Sequence, residues 1–536
     1  MLSLEYYFCS VNINHGMITA KLTPDNNFIC LESDNPIELK QLKLSMTVKI
    51  PNWFIIKRKC SYANIEETFM NDYNMIPSGL WLELVNICKK YHYSLQFAPD
   101  FNCRIKNCSI KTEDFSKYVK KLFSKSDMTP KQYQIDGIYN ILTYQRCCAE
   151  VSTSAGKSLM TYILFKYMTE KLKLNHILYI TPKTMLTTQS SDKFREYDEA
   201  NQLESHWTYS EIHSTAKKQE KYDETIVFGN YQSLCKKKHD FFKKFDVVIV
   251  DECHHAANKS IMKILSKCST AKYKIGLTGT FPKEETYENF IIQSFIGPVV
   301  YRLTSFDLIN KENFATPVEV VSISLRYLPH SQEKALYNLR LSKDRDDPTA
   351  GSKLLESEKN LVRENKERFR YICNMLINTS KNSLAIFSDI QNSYGHKIYE
   401  YIKENSNKSV YYIDGNIPSK SRDEIKEAME EDTTGNTIIV ASMGCFTEGI
   451  DIANLWNIFL LESTKSEIIM AQLLGRGMRR YPGKDKTMMI DFIDDFCYGK
   501  GYQRENYLYR HGKERREIYR RRGFPYKTFD VLLSPK

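Results

Sequence analysis

Two short stretches of the chain carry residue types that together can transfer a phosphoryl group to water. Ser152-Thr153-Ser154-Ala155-Gly156-Lys157-Ser158 has the composition of a loop whose backbone N–H groups, at the start of a helix, cradle phosphate. In such a loop Lys157 reaches the β- and γ-phosphates and the Ser158 hydroxyl ligates a magnesium ion. The complete pattern wants a glycine five residues before Gly156, where Val151 stands, so the loop alone has moderate specificity. The second stretch is Phe245–His255, in which Val247 to Val250 run straight into Asp251-Glu252. An uninterrupted apolar run of this length reads as a central strand of a parallel sheet, and ligands gather at the carboxyl ends of such strands. Asp251 then holds the metal through water, and Glu252 orients and deprotonates the attacking water. Phosphoryl transfer needs mainly positioning and charge stabilisation, which these groups supply. Strand, loop and their order point to ATP hydrolysis, with ATP and Mg2+ as cofactors.

The elements that must position these groups follow from the flanking pattern. Strand-like runs at Cys148–Val151, Ile177–Thr181, Thr225–Phe228, Val247–Val250 and Lys274–Leu277 alternate with helical stretches, which argues for a parallel sheet. Thr129-Pro130 opens this domain, with a helix whose apolar face is Ile135, Ile138 and Leu142. A second series, Ser383–Phe387, Val410–Ile413, Thr437–Val440, Trp456–Leu461 and Thr487–Ile490, follows a connector near Ser305–Pro317. Between the series, Leu341–Ser357 reads as an exposed loop and Glu358–Asn378 as one charged helix. Ahead of both lie strand-like pieces at Leu4–Ile13, Met17–Leu22, Met46–Ile50 and Phe54–Arg58, a helix at Gly79–Lys90 and a connector helix at Lys111–Lys125. The expected fold is α/β. Residues 1–125 form a small α+β accessory domain, 126–304 and 305–498 two tandem parallel-sheet domains, and 499–536 a basic aromatic helical tail.

A chain of 536 residues exceeds one comfortable core, and 42% apolar with 26% charged residues suits a folded soluble protein. No leader pattern and no bilayer-length apolar run is present, so neither secretion nor membrane insertion is expected, and a cytoplasmic location follows. The 14 cysteines show no paired CxxC spacing; Cys60, Cys88, Cys103 and Cys108 match no ordinary zinc pattern, and reduced, mostly buried thiols are the better reading. Of the formal net charge of +11, residues 500–536 supply eleven Lys/Arg against four Asp/Glu, a concentration that suits a polyanion. There Tyr502, Tyr507, Tyr509, Tyr519, Phe524 and Tyr526 interleave with Arg504, Arg510, Arg515, Arg516, Arg520, Arg521 and Arg522. Such a pattern can stack bases and neutralise phosphate; it equally suits a helix packed through its aromatics with its arginines in water.

Taken together, these motifs resemble those of the superfamily 2 helicases, and the resemblance runs through both α/β domains. Tyr133-Gln134 resembles the glutamine motif that recognises adenine, and Ser152–Ser158 motif I. Thr181-Pro182-Lys183 with Gln189, and Asn230–Leu234 with Gln232, resemble the motifs that contact nucleic-acid backbone. Asp251–His254 is similar to the acidic box and Leu277-Thr278-Gly279-Thr280 to motif III; Leu384–Asp389 and Gly415…Arg422 fit later motifs. Ala441–Asp451, with Gly449 and Asp451, resembles motif V, which serves nucleotide binding. Gln472…Gly475-Arg476…Arg479 resembles motif VI. The resemblance implies two RecA-like domains, Gln472 and Arg476 facing the nucleotide, and Arg479 as an arginine finger, a device worth ~10³–10⁵ in rate.

Among these families the chain is most similar to the phage UvsW-type recombination helicases. They share the serine ahead of Ala-Gly-Lys-Ser, a Pro-x-Gly-Leu helix (here Pro77-Ser78-Gly79-Leu80) and a Tyr-Leu…His-Gly tail (here Tyr507-Leu508…His511-Gly512). The Trp-Asp-Gly of that family has no counterpart near Asn52-Trp53-Phe54, and the tail is more basic. What the family implies is a monomeric, ATP-driven enzyme that remodels branched DNA: forks, displacement loops, RNA–DNA hybrids in R-loops, and four-way junctions. It would work with recombination or replication proteins, in the host cytoplasm if phage-encoded. Arg510, Arg515, Arg516 and Arg520 are the expected nucleic-acid contacts of the tail. The alternatives are an RNA helicase with the same motor, and a strand-annealing protein built on a decayed one.

Overall fold

The computed structural model describes residues 16–51, 53, 56–57, 60, 62–107, 109–152, 154–202, 207–214, 216, 224–310, 314–327, 350–388, 393–447, 452–496 and 505–533. The chain divides into two compact units, Met1–Leu303 and Thr304–Lys536.

The first unit opens with strands β1 (Met17–Leu22), β2 (Phe28–Ser33), β3 (Thr47–Lys49), β4 (Glu66–Thr68), β5 (Met75–Pro77) and β6 (Ser94–Phe97). Four of them form a sheet in the order β5-β2-β1-β6, and β3 pairs with β4 as a hairpin. The expected strand Leu4–Ile13 lies outside the described residues. In Phe54–Arg58 the described Ile56 and Lys57 are helical rather than extended. The Pro-x-Gly-Leu segment is a 3₁₀ turn, Ser78–Leu80, leading into the helix Trp81–Lys90. Gly79 is required there by close approach: a Cβ would sit 1.9 Å from the Gln293 carbonyl oxygen, on the helix Tyr287–Phe295 of the following domain.

That domain is a seven-stranded, wholly parallel sheet of β7 (Arg146–Val151), β8 (Ile177–Thr181), β9 (Tyr209–Ile212), β10 (Ile226–Asn230), β11 (Val247–Asp251), β12 (Tyr273–Thr278) and β13 (Val299–Leu303). Its order is β13-β7-β12-β11-β8-β10-β9. The five strands expected from apolar runs are its interior; the two missed, β9 and β13, are its edges. Edge strands are covered on fewer sides, so β13 is half-exposed and shows no apolar run. The helix Lys157–Glu170 is buried on nearly every side from Met160 to Thr169, as a helix between sheet and further helices must be.

The second unit is also a seven-stranded parallel sheet, of β14 (Val318–Tyr327), β15 (Ser383–Phe387), β16 (Ser409–Ile413), β17 (Thr437–Ser442), β18 (Asn457–Leu460), β19 (Thr487–Asp495) and β20 (Tyr526–Leu533), in the order β16-β17-β15-β18-β19-β14-β20. Two expectations for the stretch between β14 and β15 are corrected. Residues 350–357 are not loop but the start of a helix, Ala350–Glu364, which buries Leu354, Glu358 and Val362. The single helix expected over Glu358–Asn378 is broken at Asn365, whose side chain accepts the Arg368 N–H at 2.8 Å and starts a new helix, Lys366–Asn378.

The expected tail is part of this fold. Tyr507–Arg521 is a helix and Tyr526–Leu533 is an edge strand parallel to β14. β19 is docked on both faces by buried ion pairs, because Asp491 and Asp494, three residues apart, point to opposite sides of the sheet. Asp494 accepts from Arg368 at 2.7 and 3.1 Å, and Asp491 from Arg515 of the tail helix at 2.7 and 3.0 Å. Glu358, itself buried, accepts the Leu508 N–H at the start of that helix. Arg515→Ala strands the buried Asp491 carboxylate and is expected to destabilise the second unit by about 3–5 kcal/mol. Arg520→Ala on the exposed face is expected to leave the urea midpoint unchanged.

Candidate active site

Three adjacent strands deliver the candidate catalytic groups to one edge of the first sheet. β7 ends at Val151 and runs into the phosphate loop, β12 ends on Thr278, and β11 ends on Asp251. Because the strands are parallel, all three ends lie at the carboxyl edge, where open α/β sheets bind their ligands. Gly156 takes φ +76°, a left-handed conformation that turns the loop into the helix from Lys157. A Cβ at Gly156 would also meet the Gln134 side-chain nitrogen at 2.5 Å. Gln134, buried, explains that closeness. Its Oε1 accepts the Lys131 N–H at 2.9 Å, and its Nε2 donates to the Ala155 carbonyl at 2.8 Å. The glutamine therefore braces the loop from below, a role its motif resemblance to adenine recognition did not suggest.

Lys157 closes the site. Its Nζ lies 2.6 Å from Glu252 Oε1 and 3.6 Å from Asp251 Oδ1, with the three side chains 14–18% exposed. Burial alone would lower the Lys157 pKa, but Glu252 and then Asp251 hold it above its ordinary value. Burial likewise pushes Glu252 up, and Lys157 with His254 overcompensates, so its carboxyl sits well below the usual range. Asp251 goes the other way: burial and the neighbouring Glu252 charge raise it against the pull of Lys157. Of the two acids, Glu252 is the one held firmly ionised. Tyr179, on β8, donates its hydroxyl to Asp251. Glu252 adopts φ +48°, and backbone strain of this kind is held only where the surroundings over-determine it.

The acidic box is tied to motif III. His254 Nδ1 lies 2.8 Å from Thr278 Oγ1 and 3.3 Å from Glu252 Oε2, while the Thr278 hydroxyl lies 2.9 Å from the Thr280 carbonyl. With the threonine proton on Thr280, the imidazole proton is assigned to Nδ1, where it meets both Thr278 and Glu252. Ser158 is exposed at the loop's helical end. An exposed hydroxyl and one strand-end carboxylate fit a hard cation that keeps most of its oxygen ligands from water and phosphate. Ser152 is buried, Ser154 half-buried, and Thr153 lies outside the described residues, as do Gly449 and Asp451.

In the second unit, Gln472 and Arg476 share one half-exposed face of the helix Glu467–Gly477, while Met470, Leu473 and Leu474 are buried opposite. Arg479 follows the helix end, and its carbonyl accepts from Thr316 Oγ1 at 3.1 Å and from Lys484 Nζ at 2.9 Å. Lys484 also donates to the Gly477 carbonyl at 3.0 Å, so one lysine fixes the turn that carries Arg479.

The expected nucleic-acid contacts separate into two groups. At the carboxyl ends of the paired strands β8 and β10, Thr181 and Asn230 are register neighbours, and Asn230 Nδ2 donates to the Pro182 carbonyl at 3.1 Å. Lys183, Gln189 and Gln232 are exposed there. Thr181 is a correction: its side chain is buried, with its hydroxyl 2.7 Å from that of Thr187, so it shapes the turn and offers nothing outward. In the tail, Arg515 is a second correction, fully buried on Asp491, Ser463 and Thr464. Arg516 is half-buried, with Nε and Nη2 donating to Ser322 and Ser324 of β14. Arg510 stacks over the Tyr507 ring at 4.2 Å, and Arg520 is exposed beside Glu517.

Residues 127–283 match the family described as "Type III restriction enzyme, res subunit", and residues 367–481 match the "Helicase conserved C-terminal domain". The chain is an ATP-dependent helicase. It is 29% identical over 480 residues to the "ATP-dependent DNA helicase uvsW" of Enterobacteria phage T4, covering 86% of this chain and 89% of that protein. In fold it is similar to the DNA-bound Type ISP restriction-modification enzyme LlaBIII (17% identity, 77% of this chain, 32% of that one, TM-score 0.53). It is similar also to Mss116p bound to single-stranded RNA (13% identity, 81% and 80% covered, TM-score 0.51). Among the described residues no helix is long and apolar enough to cross a membrane.

The helicase's Thr278→Val variant removes the hydroxyl that joins His254 to motif III. We expect kcat for ATP hydrolysis to fall about ten-fold or more, with KM for ATP changed by less than about two-fold. An equal rise in KM would place Thr278 in nucleotide binding instead.

Proposed function

We propose that this helicase uses ATP hydrolysis to unwind and remodel branched DNA, including forks, displacement loops, R-loops and four-way junctions, in recombination, repair and replication. The observation that carries the reading is the 29% identity to a protein named as a DNA helicase, extending over 86% of this chain and so well beyond the two motor domains. Exposed Lys183, Gln189 and Gln232, side by side at the β8–β10 edge, are the proposed backbone contacts, with Arg510 and Arg520 as further candidates.

In the proposed cycle Lys157 leaves Glu252 and takes the β- and γ-phosphates, which frees Glu252 to orient the attacking water and accept its proton. Ser158 and Asp251 would hold Mg2+, which supplies charge neutralisation on the phosphate oxygens when bound. Gln134, Ser152, Thr153, Ser154, Ala155 and Gly156 form the proposed nucleotide cradle, with Gly449 and Asp451 assigned from the motif V resemblance. Gln472, Arg476 and Arg479 are proposed on the motif VI resemblance to meet the nucleotide's charge.

Steady-state ATPase with single-stranded DNA, blunt duplex, forked duplex, four-way junction, R-loop and RNA duplex tests the reading, with Lys157→Ala as the blank. Strongest stimulation by the branched substrates is expected; stimulation by RNA alone keeps the motor and overturns the substrate. Arg479→Ala is expected to lower kcat by ~10³ or more while DNA binding, read by fluorescence anisotropy, is retained.

A further inference from the structure

The opposite edge of the first sheet holds a feature the motor does not use. β7 and β12 are paired with Arg146 in register with Lys274, at the ends of these strands remote from the phosphate loop. Both side chains line a cavity of about 450 Å³ where the N-terminal domain meets the first α/β domain. Lys274 is only 5% exposed as a residue; among the described residues its ammonium makes no hydrogen bond or ion pair, and the nitrogen keeps a narrow contact with solvent at the cavity. Its electrostatic neighbours are the Arg146 guanidinium, of like charge, and the Cys268 thiol, which burial pushes up to about 12 and so keeps neutral. Glu67 is at the cavity wall but is exposed and engaged with the Tyr287 hydroxyl. Arg146 donates to Ser78 and Asn27, which anchors it beside the lysine.

Two like charges facing each other across a strand pair are destabilising, and an ammonium on a largely buried side chain without a counter-charge adds to the cost. Among the described residues no carboxylate compensates Lys274, whereas Arg146 has Asp25 as an electrostatic neighbour; an anion in the cavity would take the place of water on the lysine. The remaining wall is apolar, with Phe28, Phe69 and Met75 from the N-terminal domain and Met262, Leu265 and Phe295 from the α/β domain. Ser266, Ser269 and Ser294 also line it, with Thr68 and Asn71, the Ser266 and Ser294 hydroxyls donating to the Lys263 and Phe290 carbonyls. An apolar cleft of this size with a few convergent polar groups is the usual form of a small-molecule site.

We propose that this cavity is a binding site for a small amphipathic acid, its anionic head on Lys274 and Arg146 and its apolar body against the phenylalanine and methionine wall. Burial lowers the Lys274 pKa to about 8, with Arg146 adding to the effect, and a bound anion would restore it. The test is a fluorescence titration of the full chain with anilinonaphthalene sulfonate, with neutral anilinonaphthalene as the uncharged control and decanoate as competitor. One saturable site is expected, displaced by decanoate, with affinity about ten-fold weaker in Lys274→Met and nearly restored in Lys274→Arg. Equal binding by Lys274→Met, or equal binding of the neutral control, overturns the site. Thermal unfolding without ligand is the second readout. Lys274→Met removes an uncompensated charge and is expected to melt no lower than the parent protein; a clear drop in Tm would mean that Lys274 serves the fold and would overturn the proposal.

Discussion

The ion pair between Lys157 and Glu252 is the contact on which the first unit turns. It joins the helix after β7 to the end of β11, and the groups around it are arranged to support that junction: Gln134 under the loop, Tyr179 on Asp251, and His254 with Thr278 on Glu252. The same pair sets the terms for ATP. In the proposed cycle a nucleotide would have to offer Lys157 phosphate charge at least as favourable as the carboxylate it gives up, and only then would Glu252 be released as a base. On that proposal the lysine would hold Glu252 until a triphosphate displaces it, by an electrostatic exchange rather than a rearrangement of the sheet.

The second unit depends on a different constraint, the need to hold helices on both faces of β19. Buried Arg368–Asp494 and Arg515–Asp491 pairs do this, and each guanidinium is also satisfied by carbonyl or hydroxyl oxygens. Pairs so buried contribute geometry more than net stability, because desolvation offsets much of their attraction. They also change how the chain's charge is read. Arg515 is spent on Asp491, Arg516 on serines of β14, and Arg521 and Arg522 on Glu467. Part of the positive charge of the C-terminal residues is thus held in the fold.

The legible parts of the fold were those whose signal is local. Val247–Val250 announces a central strand because both its faces are buried, and the glycine–lysine–serine loop is a contiguous motif. The exposed β20 and half-exposed β13 carry no apolar run, and the serines and Glu319 that interrupt β14 hid a ten-residue strand. Arg515 and Arg520 look alike in the sequence, yet one is buried on a distant aspartate and the other faces solvent. Gln134, Tyr179 and Thr278 act through partners 21 to 72 residues away, and such pairings exist only once the sheet order is known.

The measurement that bears most directly on the Lys157–Glu252 exchange is equilibrium binding of a fluorescent ATP analogue, with Mg2+, to the parent protein and to Glu252→Gln. Removing the carboxylate charge leaves Lys157 less to surrender. Glu252→Gln is therefore expected to bind the analogue at least as tightly as the parent while hydrolysing ATP at a background rate. Clearly weaker binding by a variant that retains the parent's circular dichroism and melting temperature would contradict it, and would make Glu252 a nucleotide-binding group instead of a base held in reserve.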